Sequence, residues 1–156
     1  MKTLEEVTYE AGRDALADQE AVAAGIRQRT GTLLAAHALV ASFLGATTIR
    51  AVGLDALGWI ALVTLVAGLA LAAVLLAPWQ MKFAIDARAL YGELYDTAAA
   101  EAESDTLGWL AGAGFAYQDL REENAPRVRI MSRCSGLLSF LMIAQTLAWL
   151  SALALD

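Results

Sequence analysis

Residues 57–79 read LGWIALVTLVAGLALAAVLLAPW, with Thr64 as the one strongly polar side chain. A run of this length and apolarity spans about 30 Å of hydrocarbon, which takes about 20 apolar residues in a helix. Two further stretches are long enough to do the same. Residues 33–49, LLAAHALVASFLGATTI, are the least apolar and contain His37, Ser42, Thr47 and Thr48. Residues 134–155, CSGLLSFLMIAQTLAWLSALAL, contain Ser135, Ser139, Gln145, Thr146 and Ser151. The expected fold is therefore an all-α membrane protein with three transmembrane helices.

The composition agrees. The chain has 156 residues, 58% of them hydrophobic and 18% charged, and its mean hydropathy is +0.52. A soluble domain is usually about 45–50% apolar and about 25% charged. Disordered chains are poorer still in apolar residues. The net charge of −6 argues against a surface that coats nucleic acid throughout, although a local basic patch survives that objection. The single cysteine, Cys134, allows no internal disulfide.

Orientation follows from the basic residues beside the spans. Arg27 and Arg29 precede span one, Lys82 and Arg88 follow span two, and Arg127, Arg129 and Arg133 precede span three. The short connection between spans one and two has only Arg50. The positive-inside rule places the N-terminus in the cytoplasm and Asp156 outside. Residues 1–30 are acidic and lack the apolar core of a signal peptide, so span one is expected to act as its own insertion signal.

The remaining chain is expected to form a cytoplasmic helical layer. The expected divisions are an amphipathic helix over 1–31, a transmembrane hairpin over 32–79, a cytoplasmic helical region over 80–133 and the third span over 134–156. In the first of these, Leu4, Val7, Ala11, Ala15, Val22 and Ile26 recur at helical spacings. Thr3 and Glu6 form a capping-box pattern. Nothing forces a break before span one. After Pro78 a helix is expected over 80–103, with Phe83, Ala87, Leu90, Leu94 and Ala98 on its apolar stripe. A shorter helix from about Thr106 to Glu123, capped by Ser104 or Asp105, should precede a final helix starting near Asn124 and Pro126.

No enzyme constellation is present. His37 is the only histidine and Cys134 the only cysteine, so no metal-ligand spacing exists and no cofactor is implied. A His37–Cys134 pair would lack an orienting third group. No glycine-rich loop is followed by a lysine.

Three spans alone cannot enclose a wide path, so a path requires a homo-oligomer. Small-residue faces, Ala38, Ser42 and Ala46 in span one and Ser132, Ser135, Ser139, Met142 and Thr146 in span three, suit close helix packing. Span two should face lipid. The expected path-lining side chains are His37, Ser42, Thr47, Ser139, Gln145 and Thr146, because polar groups in hydrocarbon need a protein partner or water. For His37 and Gln145 the plainer alternative is a bond to a neighbouring helix. Arg50 and Asp55 would flank the mouth, or pair with each other across the turn. Lys82, Arg88, Arg127, Arg129 and Arg133 form a basic set at the membrane edge. It suits anionic lipid headgroups or a phosphate-bearing ligand.

The stretch YEAGRDALADQEAVAAGIRQRTGTLLAAHALVASFLGA (9–46), with Glu10, Arg13, Gln19, Arg27 and Arg29 ahead of a small-residue span, resembles small actinobacterial-type membrane proteins. Residues 124–149 fit the same plan. The nearest functional association is with SLATT-like and Hailong-type effectors of bacterial anti-phage defence. That resemblance implies a pore-forming protein of the bacterial inner membrane. It also implies a nucleotide or single-stranded oligonucleotide ligand, and a signal-producing nucleotidyltransferase as partner. The third span departs from the simplest SLATT plan. The alternative from another class is a membrane-anchored helical adaptor that docks a cytoplasmic partner without forming a pore.

Overall fold

The computed structural model describes residues 2–51, 53–86, 88, 92 and 106–155. It is all-helical, and no strand occurs among the described residues. The elements are α1 (Leu4–Val40), a π-helical turn (Ala41–Gly45), α2 (Ala46–Ala51), α3 (Ala56–Leu76) and α4 (Thr106–Ala154). Three helical stretches, Leu4–Ala51, Ala56–Leu76 and Gly108–Ala154, are long and apolar enough to cross a membrane.

The chain divides into two compact units. The first comprises 1–23 and 79–129, the second 24–78 and 130–156. The long helices α1 and α4 contribute to both.

In the first unit, the capping box forms at the start of α1. Glu6 N donates to Thr3 Oγ1 (3.3 Å) and Thr3 N donates to Glu6 Oε2 (2.9 Å), satisfying two otherwise orphan donors. Helices α1 and α4 then run parallel, because Thr8 meets Gly114, Tyr9 meets Tyr117, and Gln19 Nε2 donates to Arg121 O (3.0 Å). The Tyr9 and Tyr117 rings meet edge-on at 5.8 Å. Burial and the neighbouring Tyr9 raise the Tyr117 pKa above the ordinary tyrosine value.

The buried face of α1 differs from the apolar stripe read off the sequence. Leu4, Val7 and Val22 are exposed, while Gly12, Leu16 and Ala23 are buried. The reason is close backbone approach at Gly12 and Gly114, where any side chain would strike main-chain atoms of the opposite helix. Gly12, Leu16 and Ala23 therefore define the inner face, which the close approach at Gly12 sets.

The expected helix over 80–103 does not begin at residue 80. Residues 77–86 are non-helical. Pro78 holds Ala77 extended (ψ 149°) and ends α3. Asn124 then clasps this segment: its Nδ2 donates to Lys82 O (2.7 Å), and its Oδ1 accepts from Lys82 N (3.3 Å). Asp86 Oδ1 accepts from Arg88 N (2.9 Å). Ala87, Leu90, Leu94, Ala98, Ser104 and Asp105 lie outside the described residues.

Nor does α4 break at Pro126. The helix is continuous from Thr106 to Ala154. Proline removes one donor to the carbonyl four residues earlier. Pro126 and Glu122 are both exposed, so solvent can satisfy that carbonyl, and buried Asn124 and Met131 hold the helix on either side.

In the second unit, the α2–α3 connection turns at Gly53, whose φ of +84° suits glycine. Asp55 caps α3, its Oδ1 accepting from Gly58 N (2.7 Å). A small core forms from Ala61, Ala148 and Trp149, with Val40, Leu44 and Leu62 packed on it.

Candidate functional site

Burial recurs along α1 at seven-residue intervals: Leu16, Ala23, Thr30 and His37. The same interval appears along α4 at Asn124, Met131, Leu138, Gln145 and Ala152. Seven-residue recurrence is the spacing of helices that wind around each other in a left-handed sense. Within the second unit this seam carries polar side chains where a soluble coiled coil would carry leucine.

At its centre, His37 Nδ1 donates to Gln145 Oε1 at 2.5 Å, both side chains being fully buried. An amide oxygen can only accept, so this bond takes the tautomer protonated at Nδ1. The other edge of the imidazole faces α3: a Cβ on Gly68 would lie 3.1 Å from His37 Cε1 and Nε2. Glycine at 68 is what lets α3 approach the ring. His37 Nε2 and Gln145 Nε2 are buried and make no hydrogen bond among the described residues. Polar groups in an apolar span are expensive unless paired, and here two of the pair's nitrogens are left over. His37 bonds to Gln145, not to Cys134, which is half-buried and free.

The hydroxyls fold back on their own helices. Ser42 Oγ donates to Ala38 O (2.7 Å), Thr47 Oγ1 to Phe43 O (2.8 Å), Ser139 Oγ to Ser135 O (3.1 Å) and Thr146 Oγ1 to Met142 O (2.9 Å). Ser42 and Thr47 are exposed, whereas Ser139 and Thr146 are half-buried.

Arg50 and Asp55 form no ion pair with each other. Arg50 is exposed, and the Asp55 carboxylate is occupied in capping α3. Of the basic set, Lys82, Arg88, Arg129 and Arg133 are exposed. Arg127 is half-buried and lies 3.6 Å from Glu123. Asn124, which clasps Lys82, lies three residues before Arg127 on α4. The described residues contain no group of three or more His, Cys, Asp or Glu able to hold a metal ion.

Sequence reasoning named His37 and Gln145 separately and missed Gly68, whose role is to be absent as a side chain. It also missed Trp149 as a packing element. Its ring lies over Gly45, where a Cβ would be 3.2 Å from Cζ2, and beside Gly58, where a Cβ would be 3.6 Å from Cζ3. The chain matches no family model, no curated protein and no solved structure.

Proposed function

We propose that this chain is the subunit of a homo-oligomeric ion channel in the bacterial inner membrane, with its N-terminus in the cytoplasm. One observation carries the reading: the outward face of span one. Gly31, Ala35, Ala38, Ser42, Ala46 and Arg50 follow one another three or four residues apart, and all are exposed. Such spacing puts them on one helix face. The buried seam of α1 falls at other positions. Span two presents large apolar side chains, including Trp59, Ile60, Val63, Val66 and Leu69, which suit lipid, as do Leu39, Phe43 and Ile49 on other faces of span one. Small residues at an exposed face let helix backbones of neighbouring copies approach closely. Ser42, Thr47 and Arg50 then border the path, with Arg50 and Asp55 at its mouth. Ser139 and Thr146 belong to it through span three, and the His37–Gln145 pair stiffens each subunit behind it.

Cross-linking tests the assembly. In a Cys134→Ser background, Ser42→Cys in native membranes is expected to form a disulfide-linked dimer on mild oxidation, whereas Val66→Cys stays monomeric. Cross-linking at Val66 and none at Ser42 would reverse the assignment of faces.

The gating signal belongs to the same proposal. A cytosolic nucleotide or single-stranded oligonucleotide, made by a nucleotidyltransferase partner, would bind Lys82, Arg88, Arg127, Arg129 and Arg133 and bias closed and open states. The anti-phage setting rests on the resemblance of residues 9–46 to SLATT-like and Hailong-type effectors. Replacing Arg127, Arg129 and Arg133 together by Gln is expected to weaken binding of a short oligonucleotide. The log–log salt slope should flatten by about 0.7 for each phosphate that is no longer neutralised. An unchanged slope removes these arginines from the site.

A second reading, a membrane-anchored adaptor, draws support from the exposed stripe of α1. Val7, Ala11, Phe115 and Gln118 line an open groove of about 470 Å³ in the first unit, a form suited to an incoming apolar helix face.

A further inference from the structure

The seven-residue recurrence of burial along α1 changes to eight at the π-helical turn. His37 is followed by Gly45, and half-buried Val40 by Thr48, which is fully buried. One extra residue has been taken up between Ala41 and Gly45, as a π turn does. Without it, His37 would be followed seven residues on by Leu44, and Val40 by Thr47.

We propose that this turn is a two-position switch, in which span one exchanges between the π register and a regular α register. In the π register Trp149 lies over Gly45, and a Cβ there would already be 3.2 Å from its Cζ2. In the α register Leu44 takes the place of Gly45, and the Trp149 ring must leave it. Leu44 and the indole both pack beside Ala61 and Ala148 in the π register, but only one of them can occupy the space over residue 45. Leu44 already packs against that cluster, so the change is a short one.

Two features make the second register accessible. The Trp149 indole is buried, but Nε1 has no hydrogen-bond partner among the described residues, so packing alone holds the ring. Thr47 and Thr48 each carry an acceptor with them: Thr47 Oγ1 donates to Phe43 O (2.8 Å) and Thr48 Oγ1 to Leu44 O (2.8 Å). Either hydroxyl can therefore be the buried one without being left unpaired. The exchange turns Ala46–Ala51, and Arg50 with it, by about 100°, one residue of helix. Its bearing on conduction rests on the channel reading. The register itself does not, and thiol reactivity along α2 reads register alone.

In detergent-solubilised protein carrying Cys134→Ser, N-ethylmaleimide should modify Thr47→Cys at least tenfold faster than Thr48→Cys. Adding Gly45→Ala, which crowds Trp149, should bring that ratio to one or below. Trp149→Phe, which removes part of the obstructing ring, should shift it the same way. Deleting Ala41 removes the extra residue and should keep the original ratio. A Thr47:Thr48 ratio that stays within twofold of its starting value in both Gly45→Ala and Trp149→Phe overturns the switch. So does an unprotected Thr48→Cys in the parent.

Discussion

Gly114→Ala is expected to be, with Gly12→Ala, one of the two most damaging single methyls added to the first unit. A Cβ at residue 114 would lie 2.8 Å from Thr8 O, 2.9 Å from Thr8 C and 3.0 Å from Tyr9 Cα. All three are main-chain atoms, so no rotamer change relieves the overlap. The helices must move apart, which opens the Tyr9–Tyr117 ring contact and the Gln19–Arg121 bond. Overpacking of this kind costs about 1–3 kcal/mol, and the rigidity of the obstacle puts Gly114→Ala at the upper end. For a chain of this size that lowers Tm by about 6–12 °C, measurable by circular dichroism in detergent. Gly25→Ala is the control. Gly25 is helical and a Cβ there meets nothing within 4 Å, so the higher helix propensity of alanine should stabilise by about 0.5–1 kcal/mol. Equal effects at the two sites would contradict the close approach of α1 and α4.

Gln145→Leu should be the second costly change. It removes the partner of His37 Nδ1 and leaves an imidazole with both nitrogens buried and unpaired. A stranded buried donor costs about 1–3 kcal/mol, whereas hydrogen bonds between membrane helices average only about 0.6 kcal/mol. The destabilisation should therefore exceed the value of the bond itself. His37→Leu combined with Gln145→Leu should recover much of it, because replacing both partners by apolar groups is close to neutral. The double-mutant cycle, read by thermal unfolding, should show a coupling of about 1 kcal/mol or more. Strict additivity would mean the two side chains do not depend on each other.

These two sites mark the boundary of what the sequence reveals. The three apolar runs, the Thr3–Glu6 capping box and the passage of the first helix into span one are legible, because each rests on local spacing. The inner face is not. In water, large apolar side chains point inward and mark the core. In lipid they have no such preference, and small residues permit the closest packing. Leu39 and Phe43 accordingly point outward from span one while Gly68 carries the packing there; in the first unit Leu4, Val7 and Val22 are exposed because the close backbone approach at Gly12 and Gly114 sets which face is buried. His37 and Gln145 stand out singly as polar groups within apolar runs. Their pairing, across 108 positions, depends on a register that only the assembled helices define. Pro126 reads as a helix start, yet it stays inside α4 because its face is open to solvent. The π turn has no composition of its own. It becomes visible only as the step from seven to eight in a seam already known.

The channel reading and the adaptor reading agree on three spans and part over ion flow. Current across a planar lipid bilayer containing the purified, assembled protein decides between them most directly. The channel account predicts discrete unitary conductance steps, altered by adding a short oligonucleotide or nucleotide to the side bearing Arg127 and Arg129. It further predicts that Arg50→Glu changes anion-to-cation selectivity, because a ring of positive charge at the mouth would be inverted. A bilayer that stays silent at every voltage, with and without the ligand, while the same preparation is shown to be an inserted oligomer, would contradict it.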